Sequence, residues 1–160
     1  MGKVVNMFWV ISLIAFLGAF VAVYSFLPQE VAINSDAGGR ANQFVTKEVF
    51  FYGGIGFFLM TNIVLYLFSH LINMEATRLQ ARGAEQSGLY TFRNKLAVWV
   101  KGLTILINLF FISLTLFIGV FNTSDVGTFD YVLLIYLVPV LITGWLIYLG
   151  VIISGAVRRA

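Results

Sequence analysis

An all-α membrane protein, a bundle of four transmembrane helices with one structured extracytoplasmic loop, is the fold class this sequence predicts, and three observations predict it. Of the 160 residues, 60% are hydrophobic and only 11% charged, with a mean hydropathy of +0.94; a soluble domain carries roughly 25% charged residues. The charged residues are gathered between four long apolar runs. The segments joining those runs are too short to fold as a separate catalytic or nucleic-acid-binding domain, so residues 1–160 read as one domain.

The first span covers about residues 4–27, because no charged side chain lies between Lys3 and Glu30 and about 20 apolar residues cross a hydrocarbon core. This run exceeds a signal-peptide core and lacks a small-residue cleavage site before Pro28, which predicts a retained helix. Residues 28–48 form the outer loop. The second span covers about 49–73. Beyond it, Glu75 to Arg82 are good helix formers that extend this helix by about two turns before Gly83 stops it. Glu75 and Arg78 fall at helical pairing distance. The third span covers about 97–121, and the polar turn Asn122–Asp130 folds it back on the fourth, about 131–157. Pro139 lies inside the fourth span, where it removes a backbone hydrogen bond and predicts a kink turned toward protein.

Orientation follows from the basic residues. Lys3, Arg78, Arg82, Arg93, Lys95, Lys101, Arg158 and Arg159 lie on one side, and only Arg40 and Lys47 on the other. By the positive-inside rule, eight against two places both termini in the cytoplasm of a multi-pass protein. The net charge of +3 is therefore a topology signal, and no nucleic-acid partner is expected. Trp9, Trp99 and Trp145 fall near span ends and read as an interfacial aromatic belt.

The chain has no cysteine and a single histidine, His70, which excludes disulfides, thiolate metal sites and CxxC redox chemistry. No catalytic group, cofactor or metal site is expected. His70, one turn before the end of the second span, is expected to hydrogen-bond a neighbouring helix or meet headgroups. The lack of Asp, Glu, Lys or Arg within the spans argues against an ion pump and disfavours a small transporter. Asn62 and Asn108 are the polar residues nearest the midplane, accompanied by Thr61, Ser113, Thr115 and Thr143. Lipid satisfies none of their hydrogen-bonding groups, so both amides should face protein, bonding across helices or marking an interface with a partner, as should Pro139. Gly53, Gly54 and Gly56 permit close approach at the outer end of helix two.

The outer loop is the candidate site, with Pro28, Asn34, Asp36, Gly39, Asn42 and Lys47 as its residues. A loop of this length is uncommon in a compact protein and is often functional. Pro28 should end helix one, Lys47 should bond the loop or nearby phosphates, and Gly39 should need positive φ. Asn34, Asp36, Gly39 and Asn42 half-imitate a calcium loop, but Gly38 and Val45 stand where further ligands are needed, the bidentate glutamate among them, so a hydrogen-bonded turn is expected.

The segment from Leu27 to Lys47 resembles the outer-loop motif of the bacterial sporulation-delaying-protein immunity family, small polytopic membrane proteins. Leu27-Pro28 stands at the opening, Asp36 and Gly39 at the polar turn, and Thr46-Lys47 at the close. Asn34 replaces the family histidine and Ala41-Asn42 the family Pro-Asp, which removes any role that needs a titratable imidazole or a second carboxylate there. The resemblance implies a bacterial cytoplasmic (inner) membrane location and a role in toxin immunity or signalling, with an extracytoplasmic peptide as partner. The residues themselves favour a non-catalytic accessory or scaffold subunit whose partners are lipids and other membrane proteins.

Overall fold

The computed structural model describes residues 2–35, 41–81, 83, 88–123 and 129–157. It has four helices, α1 (Gly2–Phe26), α2 (Lys47–Ala81), α3 (Gly88–Thr123) and α4 (Phe129–Val157), with strands β1 (Glu30–Ser35) and β2 (Ala41–Thr46) between the first two helices. All four helices are long and apolar enough to cross a membrane. This is a multi-pass membrane protein.

The helices do not share their contacts equally. Helices α1, α2 and α4 each pack on α3, and α3 is the most buried of the four spans. Side chains of α1 and α2 meet along an aromatic ladder, in which Phe16 stacks on Phe58 with centroids 3.7 Å apart and Phe20 stacks on Phe50 at 5.4 Å. Phe111 of α3 closes that core edge-on against Phe16 and Phe58. Gly54 is the notch that lets the ladder form: a Cβ there would lie 2.7 Å from the Phe20 ring, whereas Gly53 and Gly56 face open space. One of the three glycines expected to allow close approach does so.

Two helices are longer than their apolar runs. At 35 and 36 residues, α2 and α3 each reach about 50 Å, well past a core of about 30 Å. Helix α2 ends as the sequence predicts, at Gly83 with φ of 72°. Helix α3 starts nine residues before the predicted 97, at Gly88. Its first turns run beside the end of α2, and Arg93 reaches Glu75 at 3.1 Å while Arg78 binds the same carboxylate at 2.7 Å. Residues 88–96, expected as linker, are thus the first turns of α3, with Arg93 joining them to the end of α2.

Trp99 and Trp145 correct a second expectation. They do not stand free at a span end as a belt would have them: Trp99 is buried, its indole N–H donates to the carbonyl of Trp145 at 2.8 Å, and the Trp145 indole donates back to the carbonyl of Trp99 at 3.0 Å. Gly102 leaves the room, since any Cβ there would collide with the Trp145 ring. A buried indole N–H needs an acceptor, and here each tryptophan uses the other's backbone, which fixes α4 on α3. Pro139 does not turn into the bundle. Helix α4 runs through it and leaves it on an exposed face, while its neighbour Val138 is buried.

Candidate functional site

The segment expected as an outer loop is a β-hairpin over the residues the structure describes. Pro28 follows the last residues of α1, and β1 pairs antiparallel with β2, Glu30 opposite Thr46 and Val31 opposite Val45. The register slips twice, so that Ile33 has no partner on β2 and Asn42 none on β1, while Asn34 lies opposite Gln43. Its amide donates to the Gln43 side chain at 3.4 Å. Asp36 and Gly39 lie outside the described residues, as do Ala37, Gly38 and Arg40.

The base of the hairpin is held at three places. Lys47, the first residue of α2, donates its ammonium to the carbonyl of Leu27 at 2.8 Å, which satisfies an end-of-helix acceptor of α1. The same ammonium lies 4.7 Å from the Tyr24 ring, a cation–π contact. Its backbone N–H donates to Gln29 at 2.8 Å. The ammonium expected to bond the loop or nearby phosphates thus bonds the end of α1 at the foot of the hairpin. Val31, fully buried, packs with Val23 and Leu27 and is flanked by Val45, Leu116 and Ile118.

The residue that sequence reasoning missed is Asn122. Placed in a polar turn by its sequence, it is instead in the last turn of α3, where its side-chain amide pairs with the backbone of β1 as a third strand would. The Ala32 N–H donates to Asn122 Oδ1 at 2.7 Å, and Asn122 Nδ2 donates to the Ala32 carbonyl at 3.0 Å. Ala32 is buried, so without that amide two backbone groups would lose their partners. The signal available in the sequence was an amide closing a long apolar run beside Thr123, a pattern shared by any helix end.

The intramembrane amides are brought together. Asn62 Nδ2 of α2 donates to Asn108 Oδ1 of α3 at 2.9 Å, and Asn108 Nδ2 donates to Ser12 Oγ of α1 at 2.9 Å. Ser12 passes the chain on to the Trp9 carbonyl at 2.7 Å. Asn108 is wholly buried and Asn62 nearly so, so these two amides tie three helices together and present nothing to a partner. Thr61, Ser113 and Thr143 each bond the carbonyl four residues earlier in their own helix. His70 is an exposed residue that stacks on Tyr66, its neighbour one turn earlier.

The two halves of the candidate set therefore differ in kind. The hairpin carries exposed side chains on a fixed base: Ile33 is 46% exposed and Phe44 55%, with Asn34 and Asn42 also exposed. The amides in the spans are structural joints. Compared with models of known protein families, with characterised proteins and with solved structures, the chain matches none.

Proposed function

We propose that the chain is a non-catalytic membrane protein that binds other membrane proteins, as an accessory or scaffold subunit of a larger complex, and that the hairpin is its contact surface. One observation carries this reading: the hairpin is clamped to α1, α2 and α3 by Leu27–Lys47 and Ala32–Asn122 bonds, yet offers two half-exposed apolar side chains, Ile33 and Phe44. A surface held rigid before binding loses little conformational entropy when a partner arrives. The eight-to-two distribution of basic residues supports a cytoplasmic location for both termini, with the hairpin outside, in a bacterial cytoplasmic membrane.

The test is stoichiometric co-purification in mild detergent. Ile33→Ser and Phe44→Ser should release the partner while the protein keeps its thermal stability. A single free species from the wild type, after cross-linking in cells, would remove the subunit reading.

The same hairpin favours one other reading, toxin immunity or peptide sensing. The outer edge of β2 is of the kind to which an extended peptide adds as a further strand, and the Leu27–Lys47 resemblance points the same way. Cells lacking the protein would then become sensitive to a secreted peptide, and the serine variants would not restore protection.

A further inference from the structure

A cavity of about 350 Å³ opens between α1, α2 and α3 at the end of the molecule opposite the hairpin. Its surface is mostly apolar, with polar side chains from all three helices set into it. Lys101 of α3 enters it and donates to Asn6 Oδ1 of α1 at 2.7 Å. Among the described residues no carboxylate pairs with Lys101; Glu75, the acid farther along α2, already holds Arg78 and Arg93. Ser69 is 3% exposed, and its hydroxyl has no hydrogen-bond partner among the described residues. It lines the same cavity, together with Asn73 and His70. A buried hydroxyl without an acceptor is costly, and the cavity it lines is where a ligand atom could accept from it.

Depth narrows the ligand. Ser69 and Lys101 are each seven residues from the Asn62–Asn108 joint, about 10 Å along their helices toward the α2–α3 turn. That places them near the boundary of the hydrocarbon core, whose half-thickness is about 15 Å. One wall is flat and aromatic, built by Trp9 stacked on Tyr66 at 5.8 Å and Tyr66 on His70 at 6.0 Å. An ammonium without a carboxylate, a hydroxyl without an acceptor and side-chain amides beside an apolar wall, about 5 Å inside the boundary and so within reach of headgroups for a long side chain, are complementary to a phosphodiester with a hydrocarbon tail.

We propose that this cavity binds the phosphate of an anionic phospholipid, with Lys101 as counter-ion and Ser69 as hydrogen-bond donor. The test is native mass spectrometry of the full-length protein with phosphatidylglycerol, using phosphatidylcholine as the comparator and inorganic phosphate as competitor. The expected result is one retained phosphatidylglycerol per chain, with phosphatidylcholine held about ten-fold more weakly. Lys101→Gln should weaken phosphatidylglycerol about ten-fold, as expected for one charge-assisted hydrogen bond, and Lys101→Arg should restore it. Ser69→Ala should weaken it by a smaller factor. Lys95→Gln is the control, because Lys95 lines a separate groove against α4.

Equal retention of the two lipids, or an unchanged Lys101→Gln, overturns the proposal. So does an equal loss from Lys95→Gln, which would show nonspecific charge attraction. Displacement of the lipid by millimolar inorganic phosphate would assign the site to a free anion and overturn the lipid assignment. Unchanged thermal unfolding of Lys101→Arg and Ser69→Ala keeps the comparison on folded protein.

Discussion

Replacing the two buried amides singly and together tests whether they are joints of this chain or part of a partner's interface. Asn108→Leu removes two interhelical hydrogen bonds, to Asn62 and to Ser12. Interhelical bonds in membranes are worth about 0.6 kcal/mol on average and up to about 1.7, so the loss should be about 1–3 kcal/mol. Asn62→Leu removes only one bond between helices, because its second donor bond goes to Phe58 on its own helix. It also removes Asn62 Oδ1, a buried oxygen without a partner among the described residues, which offsets part of the cost. Asn62→Leu should therefore cost less than Asn108→Leu, about half or below, and the double variant should cost less than the sum by the energy of the shared bond. The measurement is reversible unfolding in mixed micelles followed by tryptophan fluorescence. Equal losses at the two positions with strict additivity would refute the joint, and loss of a partner from an otherwise stable protein would return these residues to an interface.

Two further outcomes follow from the packing and a third from the basic residues. Gly102→Val should drive the Trp145 ring from its notch, break both Trp99–Trp145 bonds and cost about 1–3 kcal/mol, whereas Gly53→Ala, which meets nothing within 4 Å, should be close to neutral in the same unfolding assay. Asn122→Ala should speed hydrogen exchange at the Ala32 amide while leaving the Asn108 segment protected, and Asn122→Asp, which keeps the acceptor for the Ala32 N–H, should lie between; unchanged exchange would deny the clamp. Cysteines at Ser35 and Ser124 should react with an impermeant thiol reagent outside intact cells and one at Ser87 should not, and labelling at Ser87 alone would invert the topology read from the basic residues.

What could be read from the sequence depended on whether a property is summed over many residues or rests on one pairing. Four spans were legible because each adds about 20 favourable transfer energies. The burial of Asn62 and Asn108 was legible because lipid offers an amide no alternative. The joining of Asn62 to Asn108 was not, since helix rotation is set by notches such as Gly54 that look like any other glycine until the opposing ring is in place. The pairing of the tryptophans was illegible for a related reason: indoles are common near span ends, and only the reciprocal bonds of Trp99 and Trp145 reveal a lock between α3 and α4. The hairpin was hidden because its pairing is irregular at Ile33 and Asn42, which breaks the alternation that marks a strand.

Helix α3 shows why so few polar residues suffice. In lipid no hydrophobic drive pushes one helix against another, and register has to come from close packing and polar bonds. Helix α3 carries a polar joint to each of α1, α2, α4 and β1, and the joints lie at different heights: Arg93 to Glu75 of α2, Trp99 to Trp145 of α4, Asn108 to both Asn62 of α2 and Ser12 of α1, and Asn122 to Ala32 of β1. Two of them, Arg93 and Asn108, hold α2 at points about 22 Å apart along α3, which resists tilting as well as sliding. The Asn122 clamp then transfers that rigidity to the hairpin, so the exposed pair Ile33 and Phe44 is positioned by the whole bundle and not by the hairpin alone. A partner bound there would meet a surface whose orientation is fixed by α3 through Asn122 and by α1 and α2 through the Leu27–Lys47 bond, and weakening the Asn122 joint should loosen it most directly.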